Sequence, residues 1–144
     1  MPGILAYLSE DHAKCDEQFA AAEEMVSKGN WEQAGDGFRL FAESLEHHLA
    51  MEEQVLFRYL ERAMGGPVGP VNVMKMEHTQ MRELVQAMAE KLKAGDKDGF
   101  LGVSETLLVL MQQHNLKEEQ ILYPMAERAL AADQGKVIED MDKV

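Results

Sequence analysis

An all-α fold, an antiparallel up-down-up-down four-helix bundle made of two repeat-related helical hairpins, is what this 144-residue sequence predicts. Three observations predict it. Apolar residues advance by threes and fours through four separate stretches, the period of one helical face. Short glycine-containing breaks divide those stretches, and short connections make consecutive long helices antiparallel neighbours. The third observation is a repeat: HHLAMEEQVLFRYLERA (His47 to Ala63) returns as QHNLKEEQILYPMAERA (Gln113 to Ala129), 66 positions later.

The first stripe is Leu5, Leu8, Cys15, Phe19, Ala22 and Val26 with His12 set among them, and Lys28-Gly29-Asn30 ends it. The second opens near Trp31, which is expected to pack at the end of the bundle, and runs Phe38, Phe41, Leu45, His48, Glu52, Val55, Tyr59. Gly35 and Gly37 weaken its first turns. Gly65-Gly66-Pro67-Val68-Gly69-Pro70 separates the hairpins, and the third stripe follows as Val71, Met74, His78, Met81, Val85, Met88, Leu92. After Gly95-Asp96-Lys97-Asp98 comes the fourth: Leu107, Met111, His114, Glu118, Ile121, Met125. Pro124 is expected to kink or shorten that helix, since it lacks an N–H and crowds the preceding turn. The whole chain, 1–144, reads as one domain, long enough to bury a core. That core is expected over residues 4–131, with a polar, acidic tail at 132–144 that frays.

Charge and cysteine count narrow the function. Fourteen Lys and Arg stand against 26 Asp and Glu, a formal net charge of -12. No basic block could follow a phosphate backbone or an anionic lipid surface, so neither nucleic acid nor membrane is an expected partner. Cys15 is the single cysteine, which precludes an internal disulfide and fits a reducing compartment. There is no basic n-region followed by a long apolar run, so a soluble, cytoplasmic protein is expected.

The repeat carries the chemistry. Between residues 45–63 and 111–129, eight of nineteen aligned pairs are identical, among them His48/His114 and Glu52/Glu118. The same offset relates Asp11-His12 to Glu77-His78. Counting helix rise from each hairpin turn puts His12 about 24 Å and His48 about 27 Å away, and His78 and His114 match them, so all four imidazoles fall near one level. On the second and fourth helices, His and Glu four residues apart share a face. Buried carboxylates without partners shift their pKa or destabilise the fold, and a pair of cations bridged by the carboxylates removes that cost. His12, His48, Glu52, His78, His114 and Glu118 are therefore the expected metal ligands. Their nitrogen and oxygen donors suit several borderline divalent metals, and two His per metal leaves coordination positions open to a small ligand. Protons compete for the same donors, so affinity should fall as pH drops through the imidazole range near about 6.5.

Neighbouring residues read differently. His47 lies about 100° around the helix from His48 and points to solvent or an outer role. Glu53 and Glu119 recur in both copies, but the fifth position after His turns them away from the metal, to the surface or to an outer support. Cys15, one turn after His12 on the inner stripe, reads as packing, with a redox thiol beside the site as the alternative, and the methionines at core spacing are packing. Phe57 and Tyr123, five residues beyond the two Glu, read as purely structural residues, with exclusion of solvent from the site as the alternative.

HLAME (His48 to Glu52) and HNLKE (His114 to Glu118), with Asp11-His12 and Glu77-His78 on the partner helices, resemble the hemerythrin-like HHE cation-binding domain. The resemblance spans residues 5–130 and is closest to the di-iron domain of repair-of-iron-centres proteins. It implies two iron ions, oxo- or hydroxo-bridged, with His12, His48, His78 and His114 as terminal ligands and Glu52 and Glu118 as bridges. It further implies a metal-binding redox protein, more than a turnover enzyme, that meets O2, NO or peroxide in oxidative and nitrosative stress or in iron-centre repair, with an iron–sulfur protein as partner. The alternative is an iron or oxygen sensing or storage module that couples metal occupancy to fold without catalysis. Oxygen-carrying hemerythrins have a fifth histidine one turn after the third, where this chain has Arg82.

Overall fold

A computed structural model describes residues 3–144. Helix α1 (Ile4–Ser27) pairs with α2 (Trp31–Met51), which continues through a π-helical turn at Glu52–Leu56 into α3 (Phe57–Met64). Helix α4 (Gly69–Lys93) pairs with α5 (Lys97–Lys117), which passes through a second π-helical turn at Glu118–Leu122 into α6 (Tyr123–Ala129). The four long rods neighbour one another in the ring α1, α2, α4, α5 and back to α1, the expected antiparallel bundle of two hairpins. Among the described residues no helix is long and apolar enough to cross a membrane.

Both hairpin turns close in the same way. Asn30 N–H donates to the Met25 carbonyl at 2.9 Å and Gly29 N–H to Val26 at 3.0 Å, while Asp96 donates to Lys91 at 2.9 Å and Gly95 to Leu92 at 3.1 Å. This crossed pair of bonds satisfies the last carbonyls of a helix and needs a left-handed residue, which Gly29 (φ 75°) and Gly95 (φ 65°) supply. Asp96 also caps α5, accepting from Gly99 N–H at 2.9 Å.

Two apolar layers sandwich a polar one. Toward the hairpin turns lie Phe19, Phe38, Phe41, Met88, Phe100 and Met111, with Phe19 meeting Phe41 edge-on at 5.1 Å between ring centroids. At the opposite end Ile4, Leu8, Leu56, Leu60, Val71, Leu122 and Ala126 pack together. Burying each large side chain of this kind contributes about 1.5–3 kcal/mol, and the two layers also keep water from what lies between.

Four details depart from expectation. The segment after residue 131 does not fray: α7 (Gln134–Asp142) forms, with Val137, Ile138 and Met141 buried in the apolar layer of Ile4 and Leu8. Tyr59 Oη donates to Asp140 at 2.5 Å, Ile4 N–H to the Gln134 side chain at 3.2 Å, and Tyr7 to Asp142. A nine-residue helix would be marginal alone, and tertiary burial of one stripe holds it. The irregularity before Pro124 is a π turn, which has a cause other than the proline, because the same turn occurs in the first hairpin, where Arg58 takes the proline's place. The π turns also advance the helix phase by one residue. Ile121 is 57% exposed, while Leu122 and Tyr123 are buried. Finally, α2 is helical from Trp31 despite its glycines, and Gly37 faces α1, where a β-carbon would lie 3.7 Å from Ala22 Cα.

Candidate metal centre

The polar layer holds all six residues singled out by the repeat, one His from each of α1, α2, α4 and α5 and the first residue of each π turn, all buried. The His12 and His48 ring centroids are 4.5 Å apart and those of His78 and His114 5.1 Å apart, so each hairpin delivers its pair at one level. Donor atoms of His12, His48, Glu52 and Glu118 lie within 4.8 Å of one another, and so do those of Glu52, His78, His114 and Glu118. The two quartets share both carboxylates. His12 Nε2 is 3.0 Å and His114 Nε2 3.2 Å from Glu118 Oε1, His78 Nε2 is 3.1 Å from Glu52 Oε1, and His48 Nε2 is 3.6 Å from Glu52 Oε2.

A second ring of carboxylates aims the imidazoles. Nδ1 of His48 bonds Asp11 at 2.7 Å and Nδ1 of His114 bonds Glu77 at 2.8 Å, each within one hairpin. Nδ1 of His78 bonds Glu53 at 2.7 Å and Nδ1 of His12 bonds Glu119 at 2.7 Å, each across to the other hairpin. A carboxylate on Nδ1 fixes the ring and turns Nε2 inward, the usual support for a metal-ligating histidine. Glu53 and Glu119 thus take the outer of the two roles open to them in the sequence. The cross-hairpin pairing had no signal there, while Asp11 and Glu77 were visible as the acidic neighbours of His12 and His78.

Cations back this ring. Arg82 holds Glu53 with Nη1 at 2.8 Å and Nη2 at 3.0 Å and reaches Glu46 through Nε at 2.9 Å; Lys117 pairs with Glu77. Burial raises the carboxyl pKa of Glu53 and Glu77, but the hydrogen bonds from Arg82 and His78, and from Lys117 and His114, outweigh it and hold both below the usual range. Burial likewise opposes a charged His48, yet Glu52 and the Asp11 hydrogen bond prevail and push it up to about 10. Glu52, buried beside His48, is held well below its ordinary value. Cys15 is buried on α1, and desolvation pushes its thiol up to about 12, as expected of a packing residue.

The π turns bring two more residues inside. Phe57 N–H donates to the Glu52 carbonyl and Tyr123 N–H to the Glu118 carbonyl, five residues back, so each aromatic sits over its glutamate where an α-helix would carry it away. Phe57 stacks on His78 at 5.6 Å. The Tyr123 hydroxyl lies 2.5 Å from Glu52 Oε2, 2.9 Å from Glu118 Oε1 and 3.1 Å from His12 Nε2. No residue preference signals a π turn, so the sequence placed Tyr123 only as a structural or solvent-excluding residue.

Four inward atoms, Glu52 Oε1, Glu118 Oε2, His78 Nε2 and His114 Nε2, are buried without an aligned hydrogen bond, the close His78–Glu52 and His114–Glu118 approaches lacking its geometry. Unpartnered donors of this type, dry and convergent, are what a divalent cation with mixed nitrogen and oxygen preference requires. The profile of the Hemerythrin HHE cation binding domain matches residues 3–126. This chain belongs to that family. Curated relatives include the "Iron-sulfur cluster repair protein YtfE" of Salmonella typhimurium strain LT2, 33% identical over 101 residues, and that of Escherichia coli O81 strain ED1a, 32% identical over 101 residues. Each alignment covers 63% of this chain and 44% of the relative, so the HHE chain spans less than half the length of these proteins. No solved structure matches it significantly. Within the family frame, Arg82 occupies the position of the extra histidine of oxygen carriers and serves instead as the clamp on Glu53.

Proposed function

We propose that this chain is a non-haem iron protein that holds two iron ions, one in each quartet, with Glu52 and Glu118 shared between them. Its centre interacts with O2, NO or peroxide in oxidative and nitrosative stress and serves iron-centre repair, with an iron–sulfur protein as partner. The observation that carries the reading is the overlap of two His/His/Glu/Glu quartets around the same two carboxylates. The relatives' name, iron-sulfur cluster repair protein, supports iron as the ion and repair as the setting.

Bound iron supplies Lewis acidity and one-electron chemistry. The chain does the remaining work. His12, His48, His78 and His114 present Nε2, and Asp11, Glu119, Glu53 and Glu77 fix their rings. The apolar layers on either side exclude water, and Tyr123 offers a proton at Oη between the two shared carboxylates. Anaerobic loading with ferrous iron tests the proposal: two irons per chain and a spectral change when NO meets the reduced form are expected. Stoichiometry of one or none, or a spectrum inert through a reduction cycle, overturns it.

The unpartnered inward atoms favour a second reading, an iron or oxygen sensor in which occupancy is coupled to fold. Loaded and chelated protein of equal protease resistance would dispose of it.

A further inference from the structure

On their inward side the two quartets differ at the repeat-related pair Tyr123 and Phe57. Beside His12 and His48 stands Tyr123, whose hydroxyl is 3.1 Å from His12 Nε2 and 3.5 Å from His48 Nε2 and also touches both shared carboxylates. Beside His78 stands Phe57, which offers only its ring face. The inward nitrogens without an aligned hydrogen bond are those of the second quartet, His78 Nε2 and His114 Nε2. One half of the centre has a hydroxyl partner; in the other half His78 Nε2 faces only Glu52 Oε1 at 3.1 Å and His114 Nε2 only Glu118 Oε1 at 3.2 Å, neither as an aligned hydrogen bond.

Resting on the reading of a two-metal centre, we propose that Tyr123 is a positioning residue that makes the two metal positions fill in order, the His78/His114 position first and the His12/His48 position second. A cation entering the first of these meets donors that make no aligned hydrogen bond and need displace no hydroxyl. A cation entering the second must displace the phenol from carboxylates it already bonds. A phenol has one proton to donate, and its 2.5 Å contact with the Glu52 carboxylate belongs to the strong, charge-assisted class. The ring is fully buried and stacks on His12 at 5.7 Å, so the hydroxyl cannot leave without moving packed neighbours. Loss of one charge-assisted hydrogen bond corresponds to about a ten- to hundredfold weaker second binding step.

Manganese(II), a divalent ion that is visible by electron paramagnetic resonance and stays divalent in air, is the probe. Calorimetric titration of the full chain should give two steps separated by at least about tenfold, with an uncoupled manganese signal at one equivalent and a spin-coupled pair at two. Tyr123→Phe should bring the steps together, so that one equivalent yields coupled pairs mixed with empty protein. The double variant Tyr123→Phe/Phe57→Tyr should restore the separation, which a merely structural defect would not do; circular dichroism confirms folding of each. Two equal steps in the unmodified chain, or steps in Tyr123→Phe unchanged from it, overturn the ordering and leave the two-metal reading standing. So does a Tyr123-dependent phenolate-to-iron band in the ferric protein, since the hydroxyl would then be a ligand and not a displaced neighbour. Binding of fewer than two ions overturns the two-metal reading along with the ordering.

Discussion

Stripping the metal should lower the melting temperature by at least about 12 °C. The four inward atoms Glu52 Oε1, Glu118 Oε2, His78 Nε2 and His114 Nε2 make no aligned hydrogen bond within the protein, since the approaches of His78 Nε2 to Glu52 Oε1 at 3.1 Å and of His114 Nε2 to Glu118 Oε1 at 3.2 Å lack hydrogen-bond geometry. Each buried, unsatisfied polar group costs about 1–3 kcal/mol, so the metal-free centre forgoes about 4 kcal/mol at the lower end of that range and about 12 kcal/mol at the upper. Against a domain stability of about 5–15 kcal/mol, even the lower figure is a large fraction. For a domain of this size 1 kcal/mol moves the midpoint by about 3–4 °C, which gives the 12 °C floor. The assay is differential scanning calorimetry on protein prepared with a chelator and on the same protein reloaded anaerobically with ferrous iron. Melts within about 3 °C of each other would show that water or side-chain rearrangement satisfies these atoms and that metal is not needed to do so.

Further outcomes follow from the same geometry. His48→Ala should lose iron, whereas His47→Ala should not, because His47 is exposed and bonds the Val144 carbonyl at 3.1 Å outside the centre; equal iron content in the two proteins would show the helix phase to be wrong. Glu53→Ala should weaken metal affinity by about ten- to a hundredfold by freeing Nδ1 of His78, while exposed Glu10→Ala leaves it unchanged, as competition against a chelating dye can measure. With its pKa pushed up to about 10, His48 of the metal-free protein is protonated at pH 8, so loading there should release a proton detectable with an indicator, and affinity should keep rising with pH beyond the imidazole's ordinary range. The sign is that of a raised pKa: what His48 contributes to metal-free stability is complete below its unfolded value near about 6.5 and is lost as pH climbs through 10. Absence of proton release at pH 8 would count against it. Met141→Ala should cost about 2–4 kcal/mol in urea unfolding by opening a cavity under α7, against no more than about 0.5 kcal/mol for exposed Lys143→Ala.

The bundle and its six central donors were legible because both are written in local periods. His48 and Glu52, and His114 and Glu118, interrupt apolar stripes at helical spacing, and a second copy 66 residues on separates design from coincidence. Helix α7 was missed because Val137, Ile138 and Met141 are three apolar residues in an acidic stretch, and their burial depends on a surface made by Ile4, Leu8 and the first π segment. Ile121 was placed on the inner stripe and Tyr123 left off it by the same error of phase, since an α-helical count was carried through a π turn.

The sequence by itself determined which imidazoles and carboxylates share a layer, because hydrophobic spacing and helix rise are properties of one chain segment at a time. Only the tertiary structure decided that Glu53 supports His78 and Glu119 supports His12, each across the hairpin boundary, and that Tyr123 rather than Phe57 brings a hydroxyl to the shared carboxylates. Those choices depend on how two packed hairpins are rotated against each other and on i to i+5 hydrogen bonds within them, and neither leaves a mark in residue spacing.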